Sequence, residues 1–475
     1  MAEIENIEQK MLAYALKNAV EHEGKCQSGA VLNPLFHEGL DKSEVKNVMP
    51  QINEIVKKVN AMSLEEQKSE LEEAEKLISH RKERVGLPDL EDVPATGIIT
   101  RFSPSSSASA FHIGHILTGM PSSLYVKKYG GKLYLRIEDT NPEKTVPECY
   151  ESFPKEAEWI FGNITEHYAQ SDRMPKYYSF AEELIGKGFA FVCTCIKEEE
   201  TEAEPETHKI REPCKCRTNS IKDNQDKWNK MLDAAGFKEG EAVLRFKTSL
   251  DSKNQALIDF PLARINLATH PHVGNKYRVW PLMNLCVTYD DIEQKCTHII
   301  RAKEHRDNAL RQGMIFEALK IPLPHTYFLG RYKFTDLEIS KTKITERIKS
   351  GEFKGWDDIR LPLARNFKKR GYQPEAFAKM VEQRGLSEVD KVLTQKDFFA
   401  VLDNLNREII KPMSTEIEFS KKKSKDTPNV YTLLMDDASE SKIYTKEKLE
   451  NEKIYFFKDI GFAKLNDKTL WYCHN

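Results

Sequence analysis

The chain has 475 residues, 40% of them hydrophobic and 31% charged, with 72 lysines and arginines against 74 aspartates and glutamates. That length implies roughly two to four domains with ample core, and a formal net charge of −2 means that any nucleic-acid contact must rest on local patches. No apolar run reaches a membrane-spanning length, and the acidic start from Met1 to Glu5 lacks the basic and apolar regions of a signal peptide. Nine cysteines, an odd number in a large chain, argue against a disulfide scaffold. The expectation is a cytoplasmic protein away from any membrane.

Residues 1–92 read as a helical module. Ile4, Ile7, Met11, Leu12 and Ala15 recur at helical spacing, and Ser63-Leu64-Glu65-Glu66 is a capping box opening a charged helix to about Arg84. No chemistry is visible there. Pro88 and Pro94 punctuate a linker.

Residues 93–191 begin with the stretch around which the rest is arranged. Ile98 and Ile99 lead to Arg101 and Phe102 in what reads as a short buried parallel strand. Ser103, Pro104 and the small residues Ser105 to Ala110 form a loop, and His112-Ile113-Gly114-His115 opens an apolar helical pattern through Ile116, Leu117 and Met120. A strand, a loop of small residues and a helix N-terminus make a phosphate site, because loop amides and the helix dipole face the anion. His112 and His115 share one face of the first turn, where both can donate to phosphate oxygens. Gly114 between them lets a flat base and sugar lie against the backbone. After the helix, a strand over Lys132–Ile137 closes a βαβ order and runs into Glu138-Asp139-Thr140-Asn141.

Residues 192–274 read as an insertion. Cys193 and Cys195, then Cys214 and Cys216, flank an acidic polar stretch. Two such pairs can supply four thiolates to a tetrahedral structural zinc; free thiols are the alternative. Residues 275–335 return to strand–helix alternation, with an apolar run ending at Asp290-Asp291, a buried strand from Thr297 to Arg301 and a helix from about Arg306 to Leu319. Ligand-type residues at strand ends fit a doubly wound, Rossmann-like α/β sheet whose ligands sit at its carboxyl edge.

Residues 336–411 carry the basic loop Ser340-Lys341-Thr342-Lys343 and three helical stretches, Arg365–Lys369, Pro374–Arg384 and Asp397–Ile410. Residues 412–475 change pattern. Glu416–Phe419, Val430–Leu434, Lys453–Phe457 and Thr469–Tyr472 are short strands between polar turns, which predicts a small β-barrel.

His112-Ile113-Gly114-His115 resembles the HIGH signature of class I aminoacyl-tRNA synthetases. Ile339-Ser340-Lys341-Thr342 resembles their second signature, KMSKS in its usual form, with Glu338 in place of the first lysine. Arg101-Phe102 and Arg136 to Asn141 are similar to the glutamyl/glutaminyl branch. The helical module, with Tyr14 to Val20 and Leu64 to Gln67, is similar to the N-terminal extension of archaeal-type glutamyl-tRNA synthetases. Together these imply ATP with Mg2+, L-glutamate and tRNA(Glu) as substrates, glutamyl-adenylate as intermediate, and His112, His115 and Lys341 as catalytic residues.

By the same resemblance, Ser103, Gly114, His115, Arg331, Tyr332, Ser340 and Lys341 contact ATP. Arg101 grips the glutamate side chain, Glu138 the ammonium and Arg301 the α-carboxylate. The insertion becomes an acceptor-arm domain, in which relatives carry a Cys-rich site, and the barrel an anticodon reader. A second acceptor, tRNA(Gln), would require an amidotransferase downstream, and no residue decides between one acceptor and two; a monomer is expected. Three departures stand out: a longer first loop without its customary glycine, Met283 in place of a pocket tyrosine, and a C-terminal region shorter than a double barrel. Glutamine as the amino acid, or a non-catalytic RNA-binding relative, are the competing readings.

Overall fold

The computed structural model describes residues 6–37, 40–41, 44–78, 86–195 and 214–475. The end of the expected helix at Arg84 and the whole acidic stretch between the cysteine pairs lie outside the described residues. The chain divides into two compact units, residues 1–84 and 85–475.

The first unit holds helices Ile7–Glu21, Ser28–His37, Val45–Asn60 and Leu64–Ala74. Met11, Leu16, Ile52 and Val59 form its core. Ser63 and Glu66 make the capping box, the Ser63 amide donating to Glu66 Oε2 at 2.7 Å and the Ser63 hydroxyl accepting from the Glu66 amide at 3.3 Å. That exchange satisfies helix-end donors that would otherwise be orphaned.

In the second unit, strands Ile98–Phe102, Gly131–Ile137 and Glu166–Ala169 pair in parallel, as do His298–Ala302 and His325–Leu329. The Thr297 amide donates to the Ile99 carbonyl at 2.8 Å, which sets His298–Ala302 beside Ile98–Phe102. The strand order therefore reverses at Ile98–Phe102, the switch point at which a doubly wound sheet opens a crevice. Leu133, Leu135 and Ile137 share one face of their strand and join the core that contains Phe102, Ile116 and Phe161, while Tyr134 and Arg136 are buried on the other face, so the strand is covered on both sides.

The insertion is a four-stranded antiparallel sheet of Ala190–Cys193, Val243–Phe246, Pro261–Ile265 and Val279–Pro281. Trp228, Leu244 and Phe246 are in its core. Its last strand falls beyond residue 274, because Val279–Pro281 completes the ladder with Pro261–Ile265 before the chain enters the helix Met283–Glu293.

Helices Lys341–Lys349, Ala364–Arg370, Pro374–Arg384 and Gln395–Ile410 follow. The C-terminal sheet has seven strands. Its two edge strands, Thr415–Glu416 and Phe419–Ser420, are separated only by Ile417 and Glu418, so the sheet curls until its edges approach. Buried Ile417 packs with Leu433, Phe457 and Leu470 inside. Two of the strands, Glu440–Thr445 and Gly461–Asn466, were not predicted. The first begins with the exposed polar Glu440-Ser441-Lys442 and shows no alternation until Ile443. No described helix is long and apolar enough to cross a membrane.

Candidate active site

A cavity of about 330 Å3 opens at the carboxyl ends of Ile98–Phe102 and His298–Ala302. Arg101, Ser103, His112, Gly114, His115, Glu138, Arg301, Arg331 and Tyr332 all line it. Ser340 and Lys341 do not, although neighbouring Ile339 does. The cysteines stand apart in the insertion.

His112 is the N-cap of the helix Ile113–Tyr129, with an extended backbone at φ −87°, ψ 169°. Its Nδ1 accepts from the Gly114 amide at 3.0 Å, and His115 Nδ1 accepts from the His112 amide at 3.3 Å. The two rings stack with centroids 3.9 Å apart. Burial pushes His112 down to about 4 and holds His115 well below its ordinary value, with His112 adding to the second effect. Both rings are therefore neutral near pH 7. With each Nδ1 accepting, each ring proton sits on Nε2. The pair can donate hydrogen bonds to phosphate oxygens, and it does so as neutral rings that bring no positive charge. Gly114 is needed for a reason internal to the protein. A Cβ there would meet His112 Cε1 at 2.8 Å and Nδ1 at 2.9 Å, so the first imidazole occupies the space above it.

The part of the cavity lined by Arg101, Glu138 and Arg301 is dominated by buried charge. Burial raises the Glu138 carboxyl above its usual range, against the pull of Arg101 and Arg301. Burial and the neighbouring Arg101 lower Arg301 to about 10, which leaves it cationic. Arg301 Nη1 donates to Gln312 Oε1 at 2.9 Å, while Arg301 Nε and Ser103 Oγ are buried with no partner among the described residues. Unsatisfied buried donors cost free energy unless a ligand engages them. Met283 also lines the cavity.

Lys341 is the first residue of the helix Lys341–Lys349, so the expected basic loop is already helical from its second residue. Its Nζ reaches the Ser107 carbonyl at 2.5 Å, in the loop that leads to the two imidazoles. Glu338 organises the approach, accepting from the Ser340 amide at 2.8 Å and lying 3.5 Å from Lys343 Nζ. An acidic residue thus has a structural task where the signature usually has lysine.

Sequence reasoning missed Glu304, His305 and Arg384. Glu304 pairs with Arg331 at 3.3 Å. Arg384 covers the Tyr332 ring at 4.2 Å and donates to the Gly330 carbonyl at 2.8 Å. Arg384 ends a helix 52 residues after Tyr332, and nothing local announces that they meet.

In the insertion, Cys193 Sγ and Cys195 Sγ each lie 3.3 Å from Cys214 Sγ, Cys195 Sγ is 3.8 Å from Cys216 Sγ, and all four sulfurs fall within 4.8 Å of one another. Tetrahedral thiolates at the usual zinc–sulfur bond length are spaced by about 3.8 Å. The four can share one metal ion. All nine cysteines are free thiols.

Residues 97–406 match the family model of class I tRNA synthetases (E and Q), catalytic domain. The chain belongs to that family. This synthetase is 34% identical over 464 residues to a glutamate–tRNA ligase of Methanosphaera stadtmanae, covering 97% of this chain and 79% of that protein. It is 37% identical over 422 residues to a glutamate–tRNA ligase of Pyrococcus abyssi, covering 87% and 72%. A crystal structure of a glutamate tRNA ligase from Elizabethkingia meningosepticum in complex with its amino acid shares 19% identity, with 66% of the synthetase and 70% of that chain covered at a TM-score of 0.48. At that TM-score the likeness adds nothing to the assignment.

Proposed function

We infer that this chain ligates L-glutamate to the 3′ end of tRNA(Glu) through a glutamyl-adenylate, consuming ATP and releasing AMP and diphosphate. One observation carries the reading: a single cavity at the sheet's switch point is lined both by two neutral imidazoles and by Arg101, Glu138 and Arg301. A nucleotide phosphate and an amino acid with two carboxylates fit those two sets of groups.

In the first step the α-carboxylate of glutamate attacks the α-phosphorus of ATP, bound with Mg2+. Such chemistry needs positioning and stabilisation of charge on the phosphate oxygens more than covalent help. The Nε2–H groups of His112 and His115 donate to those oxygens. Lys341 and Arg331 supply positive charge, Ser103, Gly114 and Ser340 provide polar and backbone contacts, and Tyr332 borders the nucleotide. Arg101 grips the side-chain carboxylate as a planar fork, Glu138 accepts from the ammonium and Arg301 faces the α-carboxylate. In the second step the ribose hydroxyl of tRNA attacks the activated carbonyl, and the adenylate phosphate takes its proton. The insertion holds the acceptor end, with Cys193, Cys195, Cys214 and Cys216 bound to a structural zinc. The curled C-terminal sheet contacts unpaired anticodon bases. The enzyme acts as a monomer.

The test is tRNA-dependent ATP–pyrophosphate exchange with glutamate and glutamine supplied separately. Exchange with glutamate alone is expected; exchange with glutamine alone overturns the choice of amino acid, and exchange with neither overturns the activity. Charging of tRNA(Glu) and tRNA(Gln) in parallel shows whether a second acceptor, and with it a downstream amidotransferase, belongs to the reaction.

A further inference from the structure

Glu156 is 7% exposed on the helix Cys149–Phe161, behind the loop that leads to the imidazoles. Its neighbours Phe153, Ala157 and Ile160 pack into the main core. A carboxylate in such a place carries a large desolvation cost, and an apolar residue of similar volume would avoid it. Its contacts indicate what it does there. Glu156 Oε2 accepts from the Phe111 amide at 2.5 Å, and Oε1 accepts from Arg365 Nε at 3.2 Å. Arg365 Nη2 donates to the Ser109 carbonyl at 2.7 Å, which also accepts from Ser152 Oγ at 2.7 Å.

These bonds converge on the residues just before His112. The Phe111 amide is held by Glu156, and the Phe111 carbonyl accepts from the Ala364 amide at 2.7 Å. Beyond His112, the Ile113 amide donates to the Pro362 carbonyl at 2.9 Å. Both peptide groups flanking His112 are thus anchored to the segment entering helix Ala364–Arg370, and the Ala110–Phe111 peptide just before them is anchored to helix Cys149–Phe161. That leaves the His112 backbone one extended conformation, and with it one direction for the first imidazole, on which the second stacks.

We propose that Glu156 and Arg365 are a positioning pair for the imidazoles: they orient the His112–His115 donors toward ATP without touching it. The pair is drawn from residues 209 positions apart and lies outside both signatures. It rests on the reading of the cavity as an ATP site. The mechanism is geometric, since a displacement of about 1 Å in a positioned donor costs on the order of a hundredfold in rate.

The test measures glutamate-supported ATP–pyrophosphate exchange, normalised to active sites titrated by adenylate formation, for the full chain with tRNA present. Glu156→Ala is expected to lower kcat/KM for ATP by on the order of a hundredfold and to leave the KM for glutamate within about twofold, because Arg101, Glu138 and Arg301 belong to other elements. Glu156→Gln keeps an acceptor for the Phe111 amide and should recover most of the loss. Arg365→Ala, at a half-buried side chain, should impair ATP use in the same sense, and Arg365→Lys should not restore it, because an ammonium cannot span Glu156 and Ser109 as a fork does. If Glu156→Ala fails to fold, the two Arg365 variants decide. A lowered melting temperature with unchanged kcat/KM per active site would reduce the pair to scaffold and overturn the proposal. Absence of exchange in the unaltered protein would instead overturn the functional reading on which it rests.

Discussion

Asp291 Oδ1 accepts from Arg136 Nη1 at 2.6 Å and stands 3.5 Å from Arg101 Nε, with all three side chains buried. Burial alone would raise the Asp291 carboxyl, yet Arg136 and Arg101 outweigh it and hold the group below its ordinary value. Asp291 therefore faces both buried guanidiniums and steadies the Nε side of Arg101, leaving the rest of its fork for the proposed glutamate carboxylate. Asp291→Asn is nearly isosteric but uncharged. Breaking such a buried arrangement should cost about 3–5 kcal/mol of stability, read by urea or thermal unfolding. The KM for glutamate should rise by about tenfold or more, since the fork that receives it loses its fixed orientation. An unchanged glutamate KM in the folded variant would show that Arg101 is held by other means.

Lys341 reaches the loop before the imidazoles from the first turn of its own helix. In the proposed reaction its ammonium exchanges the Ser107 carbonyl for phosphate oxygens of ATP. Lys341→Ala should lower turnover by on the order of a hundredfold, or roughly 3 kcal/mol of barrier. Affinity for tRNA, measured by filter binding, should stay nearly intact. Comparable loss of both would contradict its assignment to ATP.

His474 is 2% exposed, accepts from Asn406 Nδ2 at its Nε2 at 3.0 Å, and is pushed by burial down to about 4. An unfolded histidine titrates near 6.5. Between about pH 6.5 and 4 the unfolded chain takes up a proton that the folded chain refuses, so the stability associated with this depressed pKa is full above 6.5 and falls as the pH drops through that window. Against His474→Gln, which does not titrate, the stability of the unaltered protein should decline by up to about 1.4 kcal/mol per pH unit on acidification. Chemical denaturation at pH 7, 6 and 5 checks it. A difference constant over those three values would rule out the buried neutral ring.

The four insertion thiols are spaced for one tetrahedral ion. Metal analysis of the purified chain should find about one equivalent of zinc, and a strong chelator should lower the melting temperature, because structural zinc contributes directly to folding free energy. Cys214→Ser should abolish binding at this site, since Cys214 stands nearest to both Cys193 and Cys195. A metal-free protein unaffected by chelator would leave the four as plain thiols.

What the sequence by itself determined was local and periodic. The apolar strand ending at Arg101, the small-residue loop, the imidazole pair opening a helix and the Ser63 capping box are each written within a few neighbouring residues, where chain geometry dictates who meets whom. The extents of the helices Arg306–Leu319 and Pro374–Arg384 followed from the same periodicity. Only the tertiary structure decided the rest. Asp291 behind Arg101, Arg384 over Tyr332, Glu156 beneath Phe111 and the edge-to-edge approach of the C-terminal sheet join residues far apart along the chain, except where Ile417 and Glu418 link the two edges. The charge state of His112 and His115 was likewise decided by burial, because an imidazole's proton affinity depends on the solvent it loses, and spacing along a chain carries no record of that loss.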